Sequence, residues 1–247
     1  MTLQAPSGYW HGARTPRYNL VFALPLLLMY ELLAFSLSHD AIAGVRNGAD
    51  VLLKSLFITM GGRWGLVVFG VLLVGGGAFR VARDLRLNGR PRGVFFLWMG
   101  AESIGYAMLF GGVTSMLTAL ILGQWTPLLA VGPFDQFDLP TQLMISLGAG
   151  LYEELLFRVV LVGGLAMLAQ KGLGLTPRTA GILAVAVGAL IFSAFHYIGP
   201  YGDPFELSSF TFRTIAGVLF SGLYLLRGFG ITAWTHALYD VFLALSG

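Results

Sequence analysis

Seven apolar runs, each about the width of a bilayer, follow one another along this chain and leave room for few folds. They lie at about 18–38, 63–82, 94–122, 141–168, 180–199, 208–226 and 230–246. A helix needs roughly 20 largely apolar residues to cross the hydrocarbon core. The runs are continuous and do not alternate in polarity, so they read as helices and not as barrel strands. A weaker stretch at about 49–60 fits an interfacial helix or a short eighth element. Composition agrees: 56% of the 247 residues are hydrophobic and 11% are charged, against about 25% charged in a soluble domain. The expected fold is all-α, a polytopic membrane helix bundle of seven or eight transmembrane helices, forming one integral membrane domain over residues 1–247.

The connections suggest an orientation. RVARDLRLNGRPRG (80–93) holds five arginines against one aspartate, which marks a cytoplasmic loop. The 124–140 segment carries Asp135 and Asp138 with no Lys or Arg, as expected outside, and Lys171 and Arg178 return the chain inside. Arg14 and Arg17 precede the first run, which reads as a retained helix and not as a cleaved signal. This pattern predicts a multi-pass protein of a prokaryotic cytoplasmic membrane with its N-terminus inside. Arg46 and Lys54 fall on the outer side against this trend, balanced by Asp40 and Asp50. The net charge of +3 sits in these short loops, so topology explains it and no nucleic-acid partner is implied. Cysteine is absent, which excludes disulfides and thiol catalysis. The 34 glycines suit close helix approach in lipid. No internal repeat of the kind common in transporters is visible.

Against that background, GAGLYEELLFRVV (148–160) is anomalous. It places Glu153, Glu154 and Arg158 inside an apolar run, where each charge costs about 2.5–3.5 kcal/mol at the bilayer centre. Glu154 and Arg158 are four residues apart on one helical face, so an ion pair is expected. Glu153 is turned by about 100° and is free to face another partner. Candidate partners follow on later helices. IFSAFHY puts His196 near a helix end with Phe192 one turn earlier, and THALYD puts His236 and Asp240 at i and i+4. A single membrane histidine is often just a hydrogen-bonded interior residue, but two histidines and a spare carboxylate on three helices suggest a shared task. Glu31 and Glu102 stand alone on their helices with no basic neighbour in sequence, and Trp10, Trp64 and Trp125 fit an interfacial belt.

These residues resemble the CAAX-protease and bacteriocin-processing family, also called the Abi family and Rce1-like. EELLFR (153–158) is similar to its EExxxR motif, FSAFH (192–196) to its FxxxH motif, and HALYD (236–240) to its final HxxxN-type motif. FRTIAGVLFSGLYLLRG (212–228) is similar to its third motif. The resemblance covers a core at 148–242 and implies an intramembrane glutamate-dependent endopeptidase. By position it implies Glu153 as the general base for water, His196 as a ligand of that water, and His236 with residue 240 as oxyanion stabilisers. Glu154, Arg158 and Phe192 would shape the site. The chain departs from the pattern at Asp240, where many members have Asn. An ionised Asp cannot donate to an oxyanion, so Asp240 is either protonated or orients His236 instead.

The residues themselves leave three chemistries open. In the leading one, no cofactor is needed and a peptide bond of a membrane-associated protein or peptide is hydrolysed. In the second, Glu153, His196, His236 and Asp240, all competent zinc ligands, hold a metal. HExxH is absent, so a zincin of the usual kind is excluded. In the third, the same residues form a polar network in a transporter or immunity protein with no enzymatic role. Prenylated proteins, bacteriocin precursors and C-terminal sorting tails are all substrate classes the resemblance implies.

Overall fold

The structure, a computed structural model, describes residues 8–37, 45–123, 137–199 and 202–246. Asp40, Trp125 and Asp135 lie outside the described residues. All regular structure among the described residues is helical. A single turn, α1 (Tyr9–Gly12), precedes α2 (Pro16–Leu37), α3 (Gly48–Gly61), α4 (65–88) and α5 (Gly93–Leu122). The remaining helices are α6 (139–172), α7 (Pro177–Phe195), α8 (Leu207–Arg227) and α9 (Phe229–Ser246). The expected all-α membrane bundle is what the chain forms.

Helix ends are set by local chemistry. Asp138 caps α6 by accepting from Thr141 N–H at 3.3 Å, and Thr176 caps α7 through Thr179 N–H at the same distance. In both, a proline in the first turn supplies a preset φ and lacks only an N–H that has no intrahelical partner. Between α8 and α9 the chain turns on Gly228, at φ +84°, and the side chain of Asn19 accepts from Gly230 N–H at 2.9 Å.

Five stretches are long and apolar enough to cross a membrane: Pro16–Leu37, Gly48–Asn88, Gly93–Leu122, Pro177–Phe195 and Leu207–Arg227. The sequence reading also counts α6 and α9 as spans. Those two fall outside this group, and they are the helices that carry Glu153, Glu154 and Arg158 (α6) and His236 and Asp240 (α9). The weaker stretch at 49–60 becomes α3, joined to α4 through a tight turn with Gly62 at φ +54°. The chain reverses there. Phe57 and Phe69 lie 5.3 Å apart between ring centroids, whereas a straight helix would separate them by about 18 Å.

α9 is the axis of the bundle and packs against α2, α5, α6 and α8. Its approach to α6 leaves no room for a side chain at the crossing. A Cβ added at Gly150 would lie 2.3 Å from the Ala233 carbonyl oxygen and 2.6 Å from the Ala237 Cβ. A Cβ added at Gly148, two residues earlier, would lie 2.5 Å from the ring of Tyr30 on α2 and 2.7 Å from the Asn47 Cβ before α3. Small residues at helix crossings let backbones meet in lipid, where the surrounding solvent is as apolar as the side chains.

The isolated acids of the sequence reading are paired. Glu102 on α5 forms a two-pronged ion pair with Arg227 on α8, at 2.8 and 3.1 Å, and Trp10 stacks 4.2 Å over the same guanidinium. Glu31 on α2 meets Lys54 at 3.2 Å and Arg46 at 3.4 Å. Arg46 and Lys54 are therefore held in an ion-pair network with Glu31 and Asp50 and are not free loop charges.

Substituting Gly150 by Val is expected to destabilise the bundle by about 1–3 kcal/mol or more, the scale of overpacking in a tight core. Gly164→Ala, where nothing lies within 4 Å of an added Cβ, should melt like the parent. Thermal unfolding of the purified protein in detergent compares the two, and equal melting points would contradict the close α6–α9 crossing.

Candidate active site

The EELLFR segment does not sit on a regular α-helix. Ala149–Glu153 and Leu155–Val162 are both π-helical, with only Glu154 between them. A π turn holds an extra residue, so the faces of the helix shift register along this stretch, and such turns recur at functional sites. Here the result is two adjacent glutamates with different partners.

Glu153 is 8% exposed and sits where α6 passes the start of α3. Its Oε1 accepts from the side-chain amide of Asn47 at 2.9 Å. Its Oε2 has no hydrogen-bond partner among the described residues and lies 4.0 Å from Nε2 of His196. His196 is the residue that ends α7. Its Nδ1 lies 2.9 Å from the Phe192 carbonyl oxygen and donates to it, since a carbonyl only accepts. In a neutral ring that tautomer leaves the Nε2 lone pair facing Glu153.

Glu154 is completely buried and joins α6 to α9. Its Oε1 accepts from Nδ1 of His236 on α9 at 2.7 Å, and its Oε2 lies 3.1 Å from Nε of Arg158. The Arg158 guanidinium lies over the rings of Phe192 at 4.5 Å and Phe220 at 5.4 Å, and Phe220 in turn stacks on His236 at 4.3 Å. A buried arginine so placed gains cation–π attraction to two rings as well as its carboxylate.

The structure thus brings together the residues singled out in the sequence. The expected Glu154–Arg158 pair forms, and Phe192 lies under Arg158 and edge-on to both imidazoles, 4.9 Å from His196 and 6.3 Å from His236. Asp240 lies 3.6 Å from Nε2 of His236, longer than a hydrogen bond. The carboxylate that bonds the His236 ring is Glu154, on the opposite nitrogen. Two residues are missing from the sequence reading. Asn47 is 106 positions from Glu153 and belongs to no motif, and Phe220 lies within the 212–228 segment but is not singled out there. Only the Asn-Gly step opening the apolar run at 49–60 marks Asn47 as a helix cap.

The site is open on one side. The side chains of His196 and Asp240 are 25% and 24% exposed, while those of Glu153 and His236 are 10% and 7% exposed. A zinc site built from Glu153, His196, His236 and Asp240 requires them to converge on one point. Among the described residues no group of three His, Cys, Asp or Glu side chains is arranged to hold an ion.

Residues 135–242 match the family described as type II CAAX prenyl endopeptidase Rce1-like. The matched segment contains α6 to α8, most of α9 and every site residue named above except Asn47. No curated protein and no solved structure shows significant similarity to the chain.

Replacing Arg158 by Met leaves Glu154 buried beside one neutral or charged imidazole and no guanidinium. The expected loss is about 3–5 kcal/mol, as for other broken buried pairs. Arg158→Lys should not restore stability, because an ammonium cannot lie flat between two rings. Thermal melting and detergent-soluble yield measure this, and a parent-like melting point for either variant would contradict the role given to the guanidinium.

Proposed function

For a chain whose residues 135–242 belong to the Rce1-like family, we propose an intramembrane endopeptidase in which Glu153 activates water against a peptide bond. The family is one of membrane proteases, and the several apolar helices make the chain a multi-pass membrane protein. The observation that carries the reading is the 4.0 Å gap between Glu153 Oε2 and His196 Nε2. Both atoms are acceptors. Two hydrogen bonds of normal length from one water span roughly 4–4.5 Å between their acceptors, so a single water can donate to both. Its lone pairs then point away from both acceptors, toward an incoming carbonyl carbon.

The reaction balances on these residues. The water oxygen bonds to the carbonyl carbon while its proton passes to Glu153. The carbonyl oxygen gains negative charge, and His236 in its imidazolium form donates from Nε2 with Nδ1 held by Glu154. The C–N bond then breaks as Glu153 returns the proton to the leaving nitrogen. Asp240, beside the same Nε2, orients His236 if ionised and donates to the oxygen if protonated. Glu154, Arg158 and Phe192 fix the His236 ring, so in this reading they shape the site and do not react.

The substrate is a membrane-associated protein or peptide, and the family description names prenylated CAAX proteins as the class to try first. The reading places the protease machinery at 148–242 of one integral domain, needs no metal, and keeps the N-terminus on the cytoplasmic side of the cell membrane.

Glu153→Gln should lower cleavage by about 10²–10⁴-fold, the usual contribution of a general base. Loss of a donor to the developing oxyanion costs about 10²–10³-fold, so His236→Ala should fall in that range. His196→Ala should also abolish turnover while protein levels hold. Comparing protein termini in membranes from cells carrying the parent or Glu153→Gln identifies the substrate. Termini unchanged by that substitution would overturn the reading. A chelator should leave purified activity intact; activity lost and restored by zinc would install the metal mechanism instead.

A further inference from the structure

We infer that Asn47, in the part of the chain before the family match, is a positioning residue for Glu153; this deepens the reading above and rests on it. Asn47 is 3% exposed and uses both ends of its side-chain amide. The oxygen caps α3 by accepting from Ala49 N–H at 2.9 Å, and the nitrogen donates to Glu153 Oε1 at 2.9 Å. The amide is thereby oriented: exchanging its two ends would break both bonds. With Oε1 taken, only Oε2 is left to face His196.

The mounting behind Asn47 is rigid. Its own N–H donates to the Tyr30 hydroxyl at 3.3 Å, and that hydroxyl donates to Asp50 Oδ2 at 2.7 Å. Asp50 is held by Lys54 at 2.7 Å and Arg46 at 3.1 Å. The same cations hold Glu31, which accepts from Tyr152, the residue next to Glu153, at 2.6 Å. Two routes through one ion-pair network therefore reach the carboxylate, one through Asn47 and one through the α6 backbone. Gly148 leaves the space: a Cβ there would strike Asn47 Cβ at 2.7 Å. A misplacement of about 1 Å at a reacting group can cost 10²-fold in rate.

Capping and positioning can be separated by substitution. Asp and Ser both cap helices well, but an ionised Asp cannot donate and Ser is too short to bridge. The assay is a peptide spanning a cleavage site whose new terminus disappears in Glu153→Gln cells. Asn47→Ser should melt near the parent yet lose about 10–100-fold in kcat with little change in KM, whereas Asn47→Asp, which sets a second buried carboxylate against Glu153, should lose both stability and kcat. Asn47→Ala should lose stability as well. If Asn47→Ser and Asn47→Asp keep kcat within twofold of the parent, Asn47 is a helix cap only and the inference is overturned. Should Glu153→Gln itself cleave normally, the proteolytic reading fails first, a separate outcome.

Discussion

Desolvation of charge is the constraint on which this bundle depends. In hydrocarbon an unpaired ionised side chain costs several kcal/mol, comparable with a large part of a domain's stability. The charges inside the bundle answer that cost in the same way. Glu102 takes Arg227, Glu31 and Asp50 share Lys54 and Arg46, and Glu154 takes Arg158 and His236. Glu153 departs from that pattern, since among the described residues no Lys or Arg forms an ion pair with it. One of its oxygens receives a neutral amide, and the other has no hydrogen-bond partner among the described residues and lies 4.0 Å from His196. A group left half-satisfied in such surroundings is available to a small polar molecule, which is what a hydrolytic base requires.

The exception is made possible by backbone geometry. On a regular α-helix, adjacent glutamates diverge by about 100°, and both need partners on different neighbours. α6 finds them because it crosses α9 at Gly150 and meets the α2–α3 region at Gly148. Glu154, one turn beyond the first glycine, then reaches His236, and Glu153 reaches Asn47 and the end of α7. The π-helical widening from 149 to 162 adjusts the faces between those two contacts. The backbone, two glycines and two acids act as one device.

Much of this was legible in the sequence, for identifiable reasons. Helical class and the approximate runs follow from continuous hydropathy, and the Glu154–Arg158 pair follows from i,i+4 spacing. That Glu153 would meet an imidazole from a later helix was readable because polar residues in lipid must find one another, although only His196 faces it and His236 bonds Glu154 instead. The α3–α4 reversal was not: Gly61–Gly62 falls between the stretch at 49–60 and the run at 63–82, but gives no sign of which way the next helix will turn. The pairing of Glu31 and Glu102 escaped for a similar reason: their partners are remote in sequence, 125 positions away for Arg227. Asn47 was hidden because a neutral amide carries no desolvation alarm and α3 reads as a marginal stretch. π-helical geometry has no hydropathy signature at all.

The polarity of the site is graded, and the gradient has a direction. Glu154 and Arg158 are sealed, Glu153 and His236 are nearly so, and His196 and Asp240 reach the open side. The segment following His196 is pinned there: Asp203 N–H donates to the His196 carbonyl at 2.9 Å and the Asp203 carboxylate pairs with Arg213 on α8. Ser193, on the turn before His196, donates to the Phe210 carbonyl at 2.7 Å, tying α7 to α8. The exposed rim is therefore built from fixed polar contacts, while the sealed floor is built from ion pairs and aromatic faces.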